Sequence, residues 1–372
     1  MASLAYKFGL LRGLMSEERA YVGPYYVHVD ITHRCNLKCL ACRWHSPLIE
    51  SRRDKTIRQD MSYDMFVQLC DELQAMGTTA IYFVGTGEPM LHPRIFDLMG
   101  AAKERGFELT AYTNGLALTE TNIRKLMDVG LDVLRVSIWS PDPRKFAAQV
   151  EGASSDTFQR IVDGMALLGR LKTEQGSPYP LLEVCQSITQ HDVEDLDNII
   201  PFARQTGCDR LCFSPMVDFD DRELRRFVPD AAETEQLCDS LERIQGQLAQ
   251  MSIANNIDTM LLHYAWGGKM WRAVPCYPAW YFSYFRADGK VFVCQRNTKD
   301  TIPVGDLNDN SFEEIWNNDA YSEFRGQAIT CEGLAAVEGY FCELCSHSMN
   351  TARVHRRLRM LEPVQWLHRA IT

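Results

Sequence analysis

The sequence predicts an α/β fold, a partial, TIM-like (β/α)6 barrel followed by a small α+β region with a β-hairpin. From Tyr25 onward, apolar runs of strand length alternate with amphipathic helical stretches, as in a parallel sheet wrapped by helices. Distinctive polar residues directly follow several predicted strands. From about residue 271 the composition changes to aromatic residues, turn residues and cysteine, which indicates a second region.

Periodicity and capping residues locate the elements of the barrel. Ser62 is the expected N-cap of a helix whose apolar face includes Phe66 and Leu69, and Gly77 ends it. The six predicted strands lie at residues 25–31, 80–84, 108–112, 133–138, 181–187 and 210–213. Further helices are predicted at residues 93–105, 119–129, 155–171, 192–206 and 231–251.

The chain divides into five predicted segments. They are an N-terminal helical segment (1–24), the barrel (25–230), a helical connector (231–270), a cysteine-bearing extension (271–350) and a basic C-terminal helix (351–372). Leu4, Phe8, Leu11 and Leu14 share helical spacing, and we expect this stripe to dock on the barrel rather than on a membrane surface. The basic face of the C-terminal helix is interpreted as a solvated surface.

Composition narrows the class of partner. A net charge of -10 over 372 residues argues against general nucleic-acid binding, which depends on neutralising phosphates with Lys and Arg. The N-terminus has no continuous signal-peptide core and no stretch approaches membrane-spanning length. Thirteen cysteines in such a chain favour metal-bound thiols in a reducing cytoplasm, with small molecules or peptides as partners.

Three cysteines form a C-x3-C-x2-C motif directly after the first predicted strand. Cys35, Cys39 and Cys42 are soft ligands that suit a cuboidal four-iron cluster, in which each thiolate holds one iron and the fourth iron stays open. An open iron can bind a substrate. The alternatives are a zinc site that lacks one ligand and three unrelated buried thiols.

The loops after the next three strands carry further polar residues. They read Gly-Thr-Gly-Glu-Pro at 85–89, Thr-Asn-Gly at 113–115 and Ser-Ile-Trp-Ser at 137–140. Because the carboxyl ends of parallel strands meet at one edge of a sheet, we expect these loops and the cysteine loop to form a single active site.

These motifs together resemble the radical S-adenosylmethionine (SAM) superfamily, over roughly residues 25–214. The resemblance implies a [4Fe–4S] cluster that binds the methionyl amine and carboxylate of SAM and reductively cleaves it to a 5′-deoxyadenosyl radical. It also implies a flavodoxin-type or ferredoxin-type electron donor. Two positions depart from the family pattern: Ala41 replaces the usual aromatic residue before the third cysteine, and Thr86 replaces a glycine.

The resemblance also implies roles for individual residues. Gly87 and Glu88 would meet the methionyl amine, and Ser137 would meet the ribose. Thr113 and Asn114 would form the pocket wall, and Arg144 is a candidate for the methionyl carboxylate.

A second set of cysteines lies in the extension. Cys276 and Cys294 flank a predicted hairpin with its turn at Asp288-Gly289, and Cys342-x2-Cys345 follows downstream. Four thiolates can hold every iron of a cluster, and zinc is the alternative occupant. The pattern resembles the SPASM or shorter twitch extension of radical SAM enzymes, which implies one auxiliary [4Fe–4S] cluster here. Cys331 is an additional candidate ligand.

The predicted function is hydrogen-atom abstraction from a small sugar-like or aminocyclitol-like molecule, with net oxidation. The preference for a small molecule over a peptide rests on the short segment before the first strand, since peptide-modifying relatives commonly carry a recognition domain there. The alternatives are epimerisation, in which Cys185 or Cys212 would donate a hydrogen atom, and peptide modification. A zinc-stabilised binding protein is the non-enzymatic alternative.

Overall fold

The computed structural model describes residues 3–49, 60–216, 222–266, 274–294, 303–330, 351 and 354–355. These residues form one sheet of ten strands in the order β10-β9-β8-β1-β2-β3-β4-β5-β6-β7. The strands are β1 (Tyr26–Asp30), β2 (Ala80–Val84), β3 (Glu108–Thr113), β4 (Val133–Ile138), β5 (Leu181–Ile188), β6 (Arg210–Pro215), β7 (Ala254–Asn255), β8 (Phe282–Phe285), β9 (Lys290–Phe292) and β10 (Gly305–Asp306). Strands β1 to β7 are parallel and in sequence order, which confirms the predicted barrel topology.

The helices that cover the sheet alternate with its strands. They are α1 (Leu4–Ser16), α2 (Tyr63–Ala75), α3 (Ile95–Glu104), α4 (Glu120–Asp128), α5 (Pro143–Gln149), α6 (Ser155–Gln175), α7 (Ile199–Thr206), α8 (Arg222–Arg225), α9 (Ala231–Gln250), α10 (Ile257–Trp266), α11 (Phe312–Trp316) and α12 (Asp319–Ala328). No helix in the described part of the chain is both long and apolar enough to cross a membrane.

Local chemistry explains where α2 begins and ends. The Ser62 hydroxyl accepts a hydrogen bond from the backbone N–H of Met65, and Gly77 takes a φ of +83° just beyond the helix. Phe66 and Leu69 are buried, and the Phe66 ring contacts Phe83 of β2. The predicted cap, stop and apolar face are therefore confirmed.

The helix predicted at residues 192–206 begins later than expected. Short 3-10 turns occupy Gln190–Asp192 and Leu196–Asn198, and α7 starts only at Ile199. Pro201 explains the difference, because proline fits the first turn of a helix but clashes with the carbonyl four residues earlier in a helix interior. A helix that ran continuously from residue 192 would carry Pro201 in its interior.

Helix α1 docks on the rest of the chain, although through only part of the predicted stripe. The Tyr6 hydroxyl donates to the carbonyl of Gly23 at 2.7 Å, and Leu14 is buried. Leu4 and Phe8, however, are 70% and 64% exposed, so the predicted stripe was wrong at these two positions.

The hairpin of the extension joins the barrel sheet directly. Strand β8 pairs in parallel with β1, from Tyr26 opposite Phe282 to Val29 opposite Phe285. Gly289 takes a φ of +87° in the tight turn to β9, as the Asp288-Gly289 prediction required. The predicted boundary of the extension near residue 271 falls outside the described residues, and the domain division stays a prediction.

Side chains alternate between the two faces of the central strands. In β4, Val136 is buried while Ser137 is exposed, and in β5 Val184 is buried while Cys185 is only half-buried. Because successive side chains point to opposite faces of a strand, the polar positions share the inner face of the barrel. This alternation provides the barrel with a polar, sulfur-containing inner wall.

Candidate active site

The cysteine loop surrounds its sulfur atoms with hydrogen-bond donors. The backbone N–H groups of Trp44 and His45 donate to Cys42 Sγ at 3.4 Å and 3.3 Å. The Trp139 side chain donates to Cys39. Donors that point at sulfur stabilise a thiolate, which is the form that binds iron. The sequence places Trp139 in the loop at residues 137–140. It does not predict a contact between Trp139 and the cysteine loop.

Burial opposes the thiolate form at the same three sulfurs. Burial raises the pKa of Cys35 to about 11 and also raises the pKa of Cys39 and of Cys42. Buried thiols of this kind become thiolates when a metal centre compensates their charge. The donor set of three soft sulfurs with N–H partners therefore fits an iron–sulfur cluster.

The arrangement differs from a site for a single ion. No group of three or more His, Cys, Asp or Glu side chains among the described residues is arranged to hold one metal ion. In a cuboidal cluster each thiolate binds a different iron, so the thiols surround a larger volume.

The turn after β2 (residues 85–89, the β2 turn) packs against the segment between β1 and the cysteine loop (residues 35–42). A Cβ at Gly87 would lie 2.5 Å from the carbonyl oxygens of both Thr32 and Arg34, so only glycine fits. The Glu88 N–H donates to the Arg34 carbonyl at 2.7 Å. Gly87 thus fixes the turn against the segment leading into the cysteine loop. Its contact with the methionyl amine stays a prediction.

Glu88 connects the β2 turn to the β3 loop. Its carboxylate accepts from the Thr113 hydroxyl at 2.8 Å, from the Asn114 N–H at 2.6 Å and from the Met90 N–H at 3.1 Å. The residue is only 2% exposed, and burial raises its pKa. Glu88 therefore orders the loops after β2 and β3. Its contact with the methionyl amine of SAM stays a prediction.

Asn114 extends this connection to the cysteine loop. Its side-chain amide donates to Asn36 Oδ1 at 2.7 Å, while its own Oδ1 accepts from the Leu116 N–H at 3.0 Å. Because Asn36 follows Cys35, the loops after β1, β2 and β3 form one hydrogen-bonded unit. The structure thereby brings together the loops that the sequence predicted to meet.

The remaining predicted SAM residues lie on β4 and α5. Ser137 is exposed on β4. Arg144 is exposed in the first turn of α5, where its backbone N–H donates to the Asp142 side chain at 2.8 Å. The proposed contacts of Ser137 and Arg144 with SAM stay predictions.

A charged pair lies on the inner wall of the barrel. Arg135 of β4 forms a 2.6 Å ion pair with Glu183 of β5, and its guanidinium lies 4.5 Å from the centre of the Tyr112 ring. Above it, Cys185 of β5 is the register partner of Cys212 of β6, and both are half-buried. The two predicted hydrogen-donor candidates are therefore neighbours.

A buried carboxyl group, which sequence reasoning missed, joins the β2 turn to the extension hairpin. Asp30 at the end of β1 accepts from the Thr86 hydroxyl at 2.8 Å and from the Tyr284 hydroxyl at 3.3 Å. Thr86 also contacts His33 Nδ1. Burial raises the pKa of Asp30 to about 7. No spacing in the sequence indicates a contact between residues 254 positions apart.

The second cysteine set is described only in part. The Cys276 N–H donates to the Ala328 carbonyl at 2.9 Å, and Cys294 follows β9. Cys331, Cys342 and Cys345 lie outside the described residues. Their role as ligands stays a prediction.

The fold and these loops define a class of protein that holds an iron–sulfur cluster at the mouth of a partial barrel. Comparison with family models identifies this class. Residues 29–182 match the radical SAM superfamily, and residues 276–346 match the SPASM iron–sulfur cluster-binding domain. The chain belongs to the radical SAM superfamily and carries a SPASM domain. Its cofactors are SAM, a [4Fe–4S] cluster and auxiliary iron–sulfur, as predicted; the number of auxiliary clusters stays a prediction.

Two curated relatives align along most of the chain. The tungsten-containing aldehyde ferredoxin oxidoreductase cofactor-modifying protein of Pyrococcus furiosus is 24% identical, over 81% of this chain and 83% of its own length. The PqqA peptide cyclase of Xanthomonas campestris pv. campestris is 26% identical, over 83% of this chain and 79% of its own length.

Solved structures share the fold at low sequence identity. Streptococcus suis SuiB bound to its precursor peptide SuiA has a TM-score of 0.67 at 15% identity, covering 91% of this chain and 78% of SuiB. The anSMEcpe protein with bound AdoMet has a TM-score of 0.65 at 13% identity, covering 92% of this chain and 100% of anSMEcpe.

Proposed function

We propose that this radical SAM enzyme modifies a peptide. The observation that carries the proposal is the similarity to the PqqA peptide cyclase, which extends over 83% of this chain. SuiB, recorded with its precursor peptide, has the same fold, so the architecture is compatible with a peptide substrate. The comparisons thus favour the peptide alternative over the sugar-like or aminocyclitol-like substrate expected from the sequence.

The inner wall of the barrel offers groups that can hold such a substrate. Arg135 and Glu183 present opposite charges, and Ser137 presents a hydroxyl on the same face. A peptide has carbonyl and N–H groups along its length, and these can exchange hydrogen bonds with hydroxyl and charged side chains. This wall is the proposed surface for the modified residue.

The chemistry begins with hydrogen abstraction. Cys35, Cys39 and Cys42 would hold the cluster, and SAM bound there would supply the 5′-deoxyadenosyl radical for this abstraction. The three joined loops hold the mouth of the barrel in shape, and the ring of Tyr112 and the Arg135–Glu183 pair fix the wall beneath it. A ferredoxin-type or flavodoxin-type protein is the proposed electron donor.

Two fates are open to the substrate radical. Loss of an electron gives the net oxidation expected from the sequence, and return of a hydrogen atom gives a redox-neutral change such as epimerisation. The two half-buried thiols on the inner face support hydrogen return. We therefore place the redox-neutral outcome ahead of dehydrogenation.

The experiment uses anaerobic, cluster-loaded enzyme with SAM and dithionite. Short peptides encoded beside the gene form one substrate set, and sugars and aminocyclitols form the other. We expect 5′-deoxyadenosine in a fixed ratio to a covalently altered peptide, detected by mass spectrometry and chiral amino-acid analysis. Alteration of a sugar or aminocyclitol, with every peptide unchanged, would reject the peptide proposal.

A further inference from the structure

A polar cavity lies outside the barrel wall, near the carboxyl ends of β4 and β5. It has a volume of about 520 Å³, and Gln149 of α5, Glu194 after β5 and Gln236 of α9 mark its three sides. Gln186, whose side chain lies on the outer face of β5, donates to Asp192 at 3.0 Å in the turn that forms one of these sides. The cavity therefore lies on the outer side of the sheet, and we call it the α5–α9 cavity.

The buried part of the cavity contains a hydrogen-bond donor without an acceptor. Gln149 is only 2% exposed, and its Nε2 has no hydrogen-bond partner among the residues that the structure describes. Its Oε1 lies 3.4 Å from the Thr189 hydroxyl, which also donates to Asp192 at 2.9 Å. Because a buried donor without an acceptor is unfavourable, a ligand that offers a carbonyl oxygen would be bound at Gln149.

The walls of the α5–α9 cavity combine amides with carboxylates. Three glutamine side chains line it, and their amides both donate and accept hydrogen bonds, as the backbone of an extended peptide does. Glu194 and Glu233 add two carboxylates, whereas the charge of Lys145 is matched by a 2.7 Å ion pair with Asp195. The negative balance disfavours an anionic ligand and favours a Lys or Arg side chain.

Backbone hydrogen bonds place the α5–α9 cavity next to the cysteine loop. The Leu40 N–H donates to the Gln149 carbonyl at 2.9 Å, and Cys39 and Val150 form an antiparallel bridge. The residue with the unsatisfied amide therefore contacts the loop that carries the predicted cluster ligands. A ligand in the cavity lies close to the mouth of the barrel but outside the interior, where the reaction is proposed to take place.

We propose that the α5–α9 cavity binds an extended basic segment of the peptide substrate while another residue of the same peptide is modified inside the barrel. A backbone carbonyl of the segment accepts from Gln149 Nε2, and a Lys or Arg side chain pairs with Glu194. The inference rests on the proposed function, because a chain-like substrate can occupy the barrel and the cavity together. A single sugar or aminocyclitol in the barrel has no second part to place in the cavity.

Photochemical cross-linking locates the bound segment. The cluster-loaded variant Gln236→p-benzoylphenylalanine is irradiated with each of the short peptides encoded beside the gene, and cross-linked residues are identified by mass spectrometry. Gln247→p-benzoylphenylalanine, at an exposed position further along α9, is the matched control. We expect the peptide that wild type modifies to cross-link at position 236, next to a Lys or Arg and away from the modified residue. Equal cross-linking at position 247, or none at position 236, would overturn the assignment.

Filling the cavity should weaken binding of the whole peptide. Ala148 lines the cavity at an exposed position of α5, so Ala148→Trp places a large side chain there with little effect on packing. We expect the KM for the peptide to rise about tenfold with kcat retained, because binding outside the barrel contributes equally to the ground state and the transition state. Ala249→Trp, exposed on α9 outside the cavity, should leave both constants unchanged.

A charge exchange tests the pairing with Glu194. Glu194→Lys should raise the KM for the peptide about tenfold, and replacing the cross-linked peptide's Lys or Arg by Glu should restore it. Unchanged KM values in Ala148→Trp and Glu194→Lys, for a peptide that wild type modifies, would overturn the cavity assignment and leave the proposed function intact. If wild type modifies none of the peptides, the proposed function fails, and the cavity assignment is rejected with it.

Discussion

At the scale of single residues, hydrogen bonding and burial act in opposite directions on the thiols of the cysteine loop. N–H groups of Trp44 and His45 favour the thiolate of Cys42, while burial favours its neutral form. An iron–sulfur cluster resolves this conflict because its irons bind the thiolate directly. The C-x3-C-x2-C spacing predicted the ligands, but it did not reveal the donors around them.

Loss of one thiol should remove one cluster. Replacing Cys39 by Ala should lower bound iron by about four atoms and abolish 5′-deoxyadenosine formation, because an open-iron cluster needs all three thiolates. Iron and sulfide analysis together with chromatography of the products measures both effects. Cys238→Ala, in helix α9, is the matched control. Unchanged SAM cleavage in the Cys39 variant would refute the ligand assignment.

Substitutions of Glu88 and Ser137 should both weaken SAM binding but should differ in their effect on thermal stability. Ser137→Ala should weaken SAM binding by about 0.5–1.5 kcal/mol, the usual net contribution of a neutral hydrogen bond, and leave thermal stability unchanged. Glu88→Ala should weaken SAM binding and also lower the melting temperature, because three hydrogen-bond donors lose their buried acceptor. Calorimetric titration and thermal unfolding compare them. Equal SAM affinity in both variants and wild type would show that this loop unit does not bind SAM.

At the scale of elements, β8 connects the extension to the barrel. Its parallel pairing with β1 places the Tyr284 hydroxyl 3.3 Å from Asp30, next to Thr86 of the β2 turn. Two hydrogen bonds to Asp30 therefore connect the extension hairpin with the turn after β2. The sequence predicted the hairpin from Asp288-Gly289, but strand pairing across the chain has no signature in local spacing.

The buried Asp30 should make stability depend on pH. Its folded-state pKa of about 7 lies above its ordinary value, so the folded state holds this proton more tightly. The contribution is present at low pH and is lost as the pH rises through 7. Thermal unfolding should show wild type losing stability relative to Asp30→Asn between about pH 4 and 7, and a constant difference above about pH 8. A pH-independent difference would contradict the burial of an ionisable Asp30.

The cysteines of the extension should hold iron independently of the cysteine loop. Cys294→Ala should lower bound iron by about one cluster and retain the spectroscopic signal of the SAM-binding cluster. Cys276→Ala should behave alike. Electron paramagnetic resonance of the reduced proteins separates the two centres. Zinc in place of iron in the anaerobically purified wild type would favour the structural alternative for this site.

At the scale of the whole molecule, the sequence predicts most of the barrel. Strands β2 and β4 were predicted to the residue, because apolar runs bounded by turn residues locate buried strands well. Helix α5 was not predicted because its apolar content is small, and α7 begins later than predicted because Pro201 fits only in the first turn of a helix. The chemistry class followed from the loops, whereas the substrate class depends on groups that converge only in the folded barrel.

The most direct test of the central claim follows a hydrogen atom from peptide to SAM product. A candidate peptide encoded beside the gene is synthesised with deuterium at its Cα and Cβ positions and incubated anaerobically with the cluster-loaded enzyme, SAM and reductant in ordinary water. We predict that 5′-deoxyadenosine gains one deuterium and that the peptide loses one from a single position. Undeuterated 5′-deoxyadenosine with an unchanged peptide, alongside label transfer from a deuterated sugar or aminocyclitol, would contradict peptide modification.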